Sequence, residues 1–105
     1  MEYNKLVRDF IPQIIIDEWK KIQTHIADDI EYWEALKNKL QEEVIEAKES
    51  VNNKKLLEEL ADIVEVIYAI LKYKWYSIEE LEKTRLEKRE KRWGFNDRII
   101  LEKVY

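Results

Sequence analysis

Glu42-Glu43-Val44-Ile45-Glu46 and, beyond a polar break at residues 50–55, Glu58-Glu59-Leu60-Ala61-Asp62 are the two runs whose placement decides the fold. Acidic residues are common on helices, so their positions matter more than their number. At about 100° per residue, Trp33, Leu36, Leu40, Val44, Ala47 and Val51 form one apolar stripe, and Glu43 falls inside it. In the next segment Leu56, Leu60, Ile63, Val64, Val66, Ile67, Ile70 and Leu71 cover more than half the circumference. Glu59 projects among Ile63, Val66 and Ile70, with Asp62 beside it. A carboxylate removed from water is strongly disfavoured unless it is paired, protonated or bound to a cation. No Lys or Arg lies between Leu40 and Ala47 or between Glu58 and Ile70, which leaves a metal ion as the expected counter-charge.

The rest of the composition suits a helical protein. With 105 residues the chain is read as a single domain, residues 1–105, whose core is small enough to profit from a partner chain. One Gly, one Pro and 40% charged residues leave little for tight turns or a many-stranded sheet, and exclude a glycine loop that cradles phosphate. The absence of cysteine excludes disulfides, thiolate zinc sites and thiol catalysis, and fits a reducing compartment. Residues 1–8 do not read as a signal peptide, and no apolar run approaches the roughly 18 residues of a membrane span. A cytoplasmic protein without membrane contact is expected. The net charge of −4 argues against a nucleic-acid partner.

Taken in order, Asp9 is placed to cap a first helix over residues 10–22, with Pro12 in its first turn and Ile11, Ile14, Ile15, Trp19 and Ile22 at helical spacing. Lys5 and Arg8 precede it; they are either solvated surface charges or cations aimed at phosphate oxygens. The only histidine, His25, lies in a polar connection and carries no assigned role. Asp28 or Asp29 caps a long second helix to about Ser50. Asn52-Asn53 suit its stop, and a third helix follows over about residues 54–74. Being apolar nearly all round, the third helix should be buried all round, which predicts an obligate homo-oligomer. Ser77-Ile78-Glu79-Glu80 is a capping box that starts a fourth helix ending near Lys91, before Gly94. Six of the ten residues from Lys83 to Arg92 are basic, and residues 95–105 read as an extended tail. The expected fold is an all-α four-helix bundle with short extended termini.

Glu43 and Glu46 are three residues apart, as are Glu59 and Asp62, so each pair projects from adjacent turns of its own helix. An antiparallel pairing of the second and third helices, favoured by their short connection, would bring both pairs to one point. Ligands that are all hard oxygens select Mg²⁺, with Mn²⁺ able to substitute, over zinc or copper. The competing reading is that these acids are ordinary surface residues. A ferritin-like di-iron site is disfavoured, because Glu49 and Asp62 stand where Glu-x-x-His pairs would put histidine after Glu46 and Glu59.

The pattern Glu42-Glu43-x-x-Glu46 followed by Glu59-x-x-Asp62 resembles the signature of the all-α nucleoside triphosphate pyrophosphohydrolases, the MazG-like and phosphoribosyl-ATP pyrophosphohydrolase group. Leu6-Val7-Arg8-Asp9-x-Ile11-Pro12 near the start, and Lys88 through Gly94-x-x-x-Arg98 near the end, extend the resemblance over most of the chain. It implies hydrolysis of a nucleotide between its α and β phosphates, giving a monophosphate and pyrophosphate. A role in clearing non-canonical or surplus nucleotides goes with that activity, and the assembly expected from the apolar third helix is a homodimer or dimer of dimers. By the same resemblance Glu43, Glu46, Glu59 and Asp62 hold Mg²⁺ and Glu42 orders or activates the attacking water. Lys5, Arg8, Lys88 and Arg92 are candidates for holding phosphates, and Trp93 for stacking on a base. Phe10 and Trp93 depart from the pattern, standing where similar chains carry a basic residue and a smaller one. The alternatives are phosphoribosyl-ATP as substrate, and a helical dimer that binds nucleotide or protein without turnover.

Overall fold

The computed structural model describes residues 4–105, which contain four helices and no strand. They are α1 (Ile11–Asp17), α2 (Asp29–Lys48), α3 (Asn53–Tyr73) and α4 (Ile78–Arg92). The chain up to Ile70 forms one compact unit and Leu71–Tyr105 a second. None of the helices described is long and apolar enough to cross a membrane. Met1, the first residue of the stretch read as lacking a signal peptide, lies with residues 2 and 3 outside those described.

In the first unit α1 is shorter than its isoleucine spacing predicts. It opens at Phe10, which offers no side-chain cap, rather than at Asp9, and its seven residues end at Asp17 instead of reaching residue 22. The stop is a Schellman arrangement: the N–H of Trp19 donates to Ile16 O at 2.9 Å and that of Lys20 to Ile15 O at 3.4 Å. Trp19 takes the left-handed position, with φ 63°, which glycine usually fills. Trp19 and Ile22 therefore do not continue the helical stripe.

The long α2 begins at Asp28, whose side chain accepts the Glu31 N–H at 2.9 Å and so satisfies one donor of the first turn. The next helix also starts on a side-chain cap. Asn52 Oδ1 accepts the Lys55 N–H at 2.8 Å, so Asn52 opens α3 rather than closing α2. Only residues 49–52 separate the two helices. Glu43 on α2 meets Glu59 and Asp62 on α3 at similar distances from this turn, which makes the pair an antiparallel αα-hairpin. Leu36 and Val66 are its buried apolar residues and Glu43 its buried charge. Val44 and Val51, expected in the buried stripe, are exposed. So are Leu57, Leu60, Val64 and Tyr68 of α3, so this helix is not buried all round within the chain.

The second unit carries α4, whose capping box is complete: Glu80 N–H donates to Ser77 Oγ at 3.0 Å, and Ser77 N–H donates to a Glu80 carboxylate oxygen at 3.1 Å. The unit opens on the last turn of α3, which ends as α1 does. The N–H of Trp75 (φ 65°) donates to Lys72 O at 3.2 Å and that of Tyr76 to Leu71 O at 2.9 Å. At the end of α4 the departure from helix falls on Trp93 and not on Gly94. With φ 67° and ψ −165°, Trp93 occupies backbone space that is almost reserved for glycine. Of the extended tail expected over residues 95–105, residues 95–98 instead form a turn in which the Arg98 N–H donates to Phe95 O at 3.2 Å, and residues 99–105 have no regular structure and are exposed.

Candidate metal centre

The αα-hairpin brings five acids together. Oxygens of Glu42, Glu43 and Glu46 lie within 4.8 Å of one another, and so do oxygens of Glu43, Glu59 and Asp62. Glu43 belongs to both triads and is 6% exposed. Its place follows from the helix period: Leu36 precedes it by two turns on the buried face of α2. Glu43 Oε2 and Glu59 Oε2 are buried and accept no hydrogen bond from any described residue. A buried acceptor without a donor is costly, and two such oxygens lie in this one acidic cluster.

The cluster also carries cations of its own. Lys39 Nζ, on a half-buried side chain, reaches Glu43 Oε1 at 3.3 Å and Glu42 Oε1 at 3.4 Å. Lys5 Nζ donates to Glu42 Oε1 at 3.1 Å, and Arg8 Nη2 to Asp62 Oδ1 at 2.6 Å. The expectation that only a metal ion supplies counter-charge is corrected in this respect. Lys39 lies just outside the interval 40–47, yet it stands four residues before Glu43 and three before Glu42, the spacings at which helical side chains meet. That spacing was the available signal. A cavity of about 160 Å³ opens beside Glu42, with Lys5, Lys39 and Asn38 on its wall.

These neighbours split the behaviour of the adjacent acids. Burial pushes the Glu43 carboxyl above its ordinary range, the neighbouring Glu46 carboxylate adds to the rise, and Lys39 opposes it. For Glu42 partial burial also favours the neutral form, but the hydrogen bond from Lys5 and the charges of Lys39 and Lys5 outweigh it and hold the carboxyl below the ordinary range. The two adjacent acids are thus shifted in opposite directions, Glu43 up and Glu42 down.

The structure therefore gathers seven of the residues singled out from sequence: Lys5, Arg8, Glu42, Glu43, Glu46, Glu59 and Asp62. The oxygen donors of the two triads fit a hard divalent ion. Lys88, Arg92 and Trp93 lie in the second unit, where Arg92 and the exposed Trp93 line a groove with Gly94 and Phe95. Compared with models of known families, with curated proteins and with solved structures, the chain matches none.

Proposed function

We propose that the protein is a Mg²⁺-dependent nucleotide pyrophosphohydrolase. The observation that carries this reading is Glu43: a buried carboxylate shared by two oxygen triads, with one oxygen left without a donor. Glu43, Glu46, Glu59 and Asp62 would hold the ion, and Mn²⁺ would substitute. Bound there, the ion supplies positive charge against the polyphosphate and acidifies water.

The chain's own residues then do the following. Glu42, ionised at neutral pH, accepts a hydrogen bond from the attacking water and orients it; its lowered pKa makes it a better orienting group than proton sink. Lys5 and Arg8 bind phosphate oxygens as charged donors. Water adds to the α-phosphorus and gives up its proton to bulk solvent, the bond from that phosphorus to the α–β bridging oxygen breaks, and pyrophosphate leaves with that oxygen.

A homodimer or dimer of dimers is the working unit in this reading. Leu57, Leu60, Val64 and Tyr68 recur every three or four residues on α3 and are exposed, so they form one stripe that a second copy would cover. Light scattering at micromolar concentration should give at least twice the chain mass; the mass of one chain would refute it.

The test of the reaction is a panel of ribo-, deoxy- and modified triphosphates and phosphoribosyl-ATP with Mg²⁺, scored for products. Pyrophosphate and a monophosphate are expected, and orthophosphate as first product would rule out attack at the α-phosphorus. The second reading is a helical dimer that binds nucleotide or protein without turnover. The three cations already paired with the cluster favour it, and nucleotide binding without turnover across the panel would select it.

A further inference from the structure

Residues 4–9 lie outside any helix, yet they place one cation on each acidic triad. Lys5 contacts Glu42 of the first triad and Arg8 contacts Asp62 of the second, across sequence separations of 37 and 54. Both bonds involve oxygens a metal ion would recruit or lie beside. Leu6 and Val7 of the arm are half-buried, and the helix that follows has no side-chain cap. Lys5 and Arg8 are themselves about half exposed, so water can solvate them when they leave their carboxylates.

We propose that the arm exchanges partners when the cluster is loaded: Arg8 leaves Asp62 as a divalent cation takes that carboxylate, and the freed guanidinium binds a phosphate oxygen of the incoming nucleotide. This rests on the metal-site reading above and adds an order to it. A cation arriving alone must displace Arg8 without recompense, whereas one arriving with a polyphosphate gives Arg8 a new anionic partner. Metal and polyphosphate therefore bind with positive coupling through the arm, and the ligand the site selects is the metal–polyphosphate complex rather than either component. Electrostatics sets the size of the effect. An exposed ion pair of this kind alters an equilibrium by roughly two- to fivefold.

The test measures Mg²⁺ affinity by calorimetry for the parent, Arg8→Ala and Arg8→Lys, with and without a triphosphate analogue whose α–β bridge is methylene. Circular dichroism confirms that each variant keeps its helices. Arg8→Ala should bind Mg²⁺ alone about two- to fivefold tighter than the parent, and the analogue should tighten its Mg²⁺ binding by less than it does for the parent. Arg8→Lys, which keeps the charge, should stay near the parent in both. Equal Mg²⁺ affinity in parent and Arg8→Ala would overturn the exchange while leaving the metal site standing. Weaker Mg²⁺ binding by Arg8→Ala would also overturn it, since Arg8 would then be orienting Asp62 for the metal. No Mg²⁺ binding by any of the three would overturn the metal reading itself, and the exchange with it.

Discussion

Replacing Glu43 by Gln keeps the side chain's shape and removes the charge that both triads share. Two unit charges 4.8 Å apart, the limit within each triad, repel by about 0.9 kcal/mol in water and about 3.5 kcal/mol at the effective permittivity of a protein surface. Glu43 has four acidic neighbours in the triads, of which Lys5 and Arg8 offset Glu42 and Asp62 while Lys39 faces Glu43 itself, so five acids stand against three cations and the net effect on Glu43 is repulsive. Loss of its charge should stabilise the protein in chelator by at least about 1 kcal/mol, equivalent to a rise in Tm of roughly 4–8 °C for a domain of this size. Because the folded pKa of Glu43 is raised, the folded protein holds its proton longer than the unfolded chain does. The parent should accordingly lose stability as pH rises from the ordinary carboxylate range through that higher value, and Glu43→Gln should lose less. Mg²⁺ reverses the ranking. At a hundred times its Kd a ligand adds about 2.7 kcal/mol to the parent, and the variant should gain far less. Thermal melts of both proteins at one protein concentration, in chelator and in millimolar Mg²⁺, measure all of this. A variant that melts below its parent in chelator, or that gains as much from Mg²⁺, would show that Glu43 is not the shared ligand of a metal site.

Glu59→Gln should abolish turnover with the far-ultraviolet circular dichroism unchanged, and a near-parental rate at saturating Mg²⁺ would remove Glu59 from the site. Ser77→Ala breaks one arm of the α4 capping box and should cost about 1 kcal/mol in a denaturant titration. Trp75→Gly removes a left-handed bulky residue that is exposed within the chain and should be neutral or stabilising by up to about 1 kcal/mol. A clear loss of stability there would show that the Trp75 ring is buried against a second copy.

The helical framework was legible where side chains near the termini speak for themselves. Asp28 and the pair Ser77 and Glu80 cap helices because their oxygens meet free N–H groups, a local event that needs no tertiary context. The acid cluster was legible for a similar reason, since Glu43 within an apolar stripe has one direction to face. Boundaries set by the left-handed residue were not. Trp19, Trp75 and Trp93 occupy turns where local propensity favours glycine or asparagine, so the stop of α4 expected at Gly94 is made by Trp93 instead, and the helix runs one residue beyond the expected Lys91. The early end of α1 likewise overrides an isoleucine pattern that continues past it. Burial on α3 was overestimated because an all-round apolar helix says how much surface needs covering and not which molecule covers it.

The separation in sequence between the cluster and its arm has a kinetic consequence. All five acids come from one αα-hairpin, in which 19 positions separate Glu43 from Asp62, whereas Arg8 reaches Asp62 across 54 residues. Local contacts form early and distant ones late. During refolding the carboxylates are therefore crowded together before Lys5 and Arg8, although made first in synthesis, return to them. The barrier to closing the hairpin carries that repulsion with only Lys39 of the three cations to oppose it, so refolding should be faster in added salt, and faster still in Mg²⁺ at equal ionic strength.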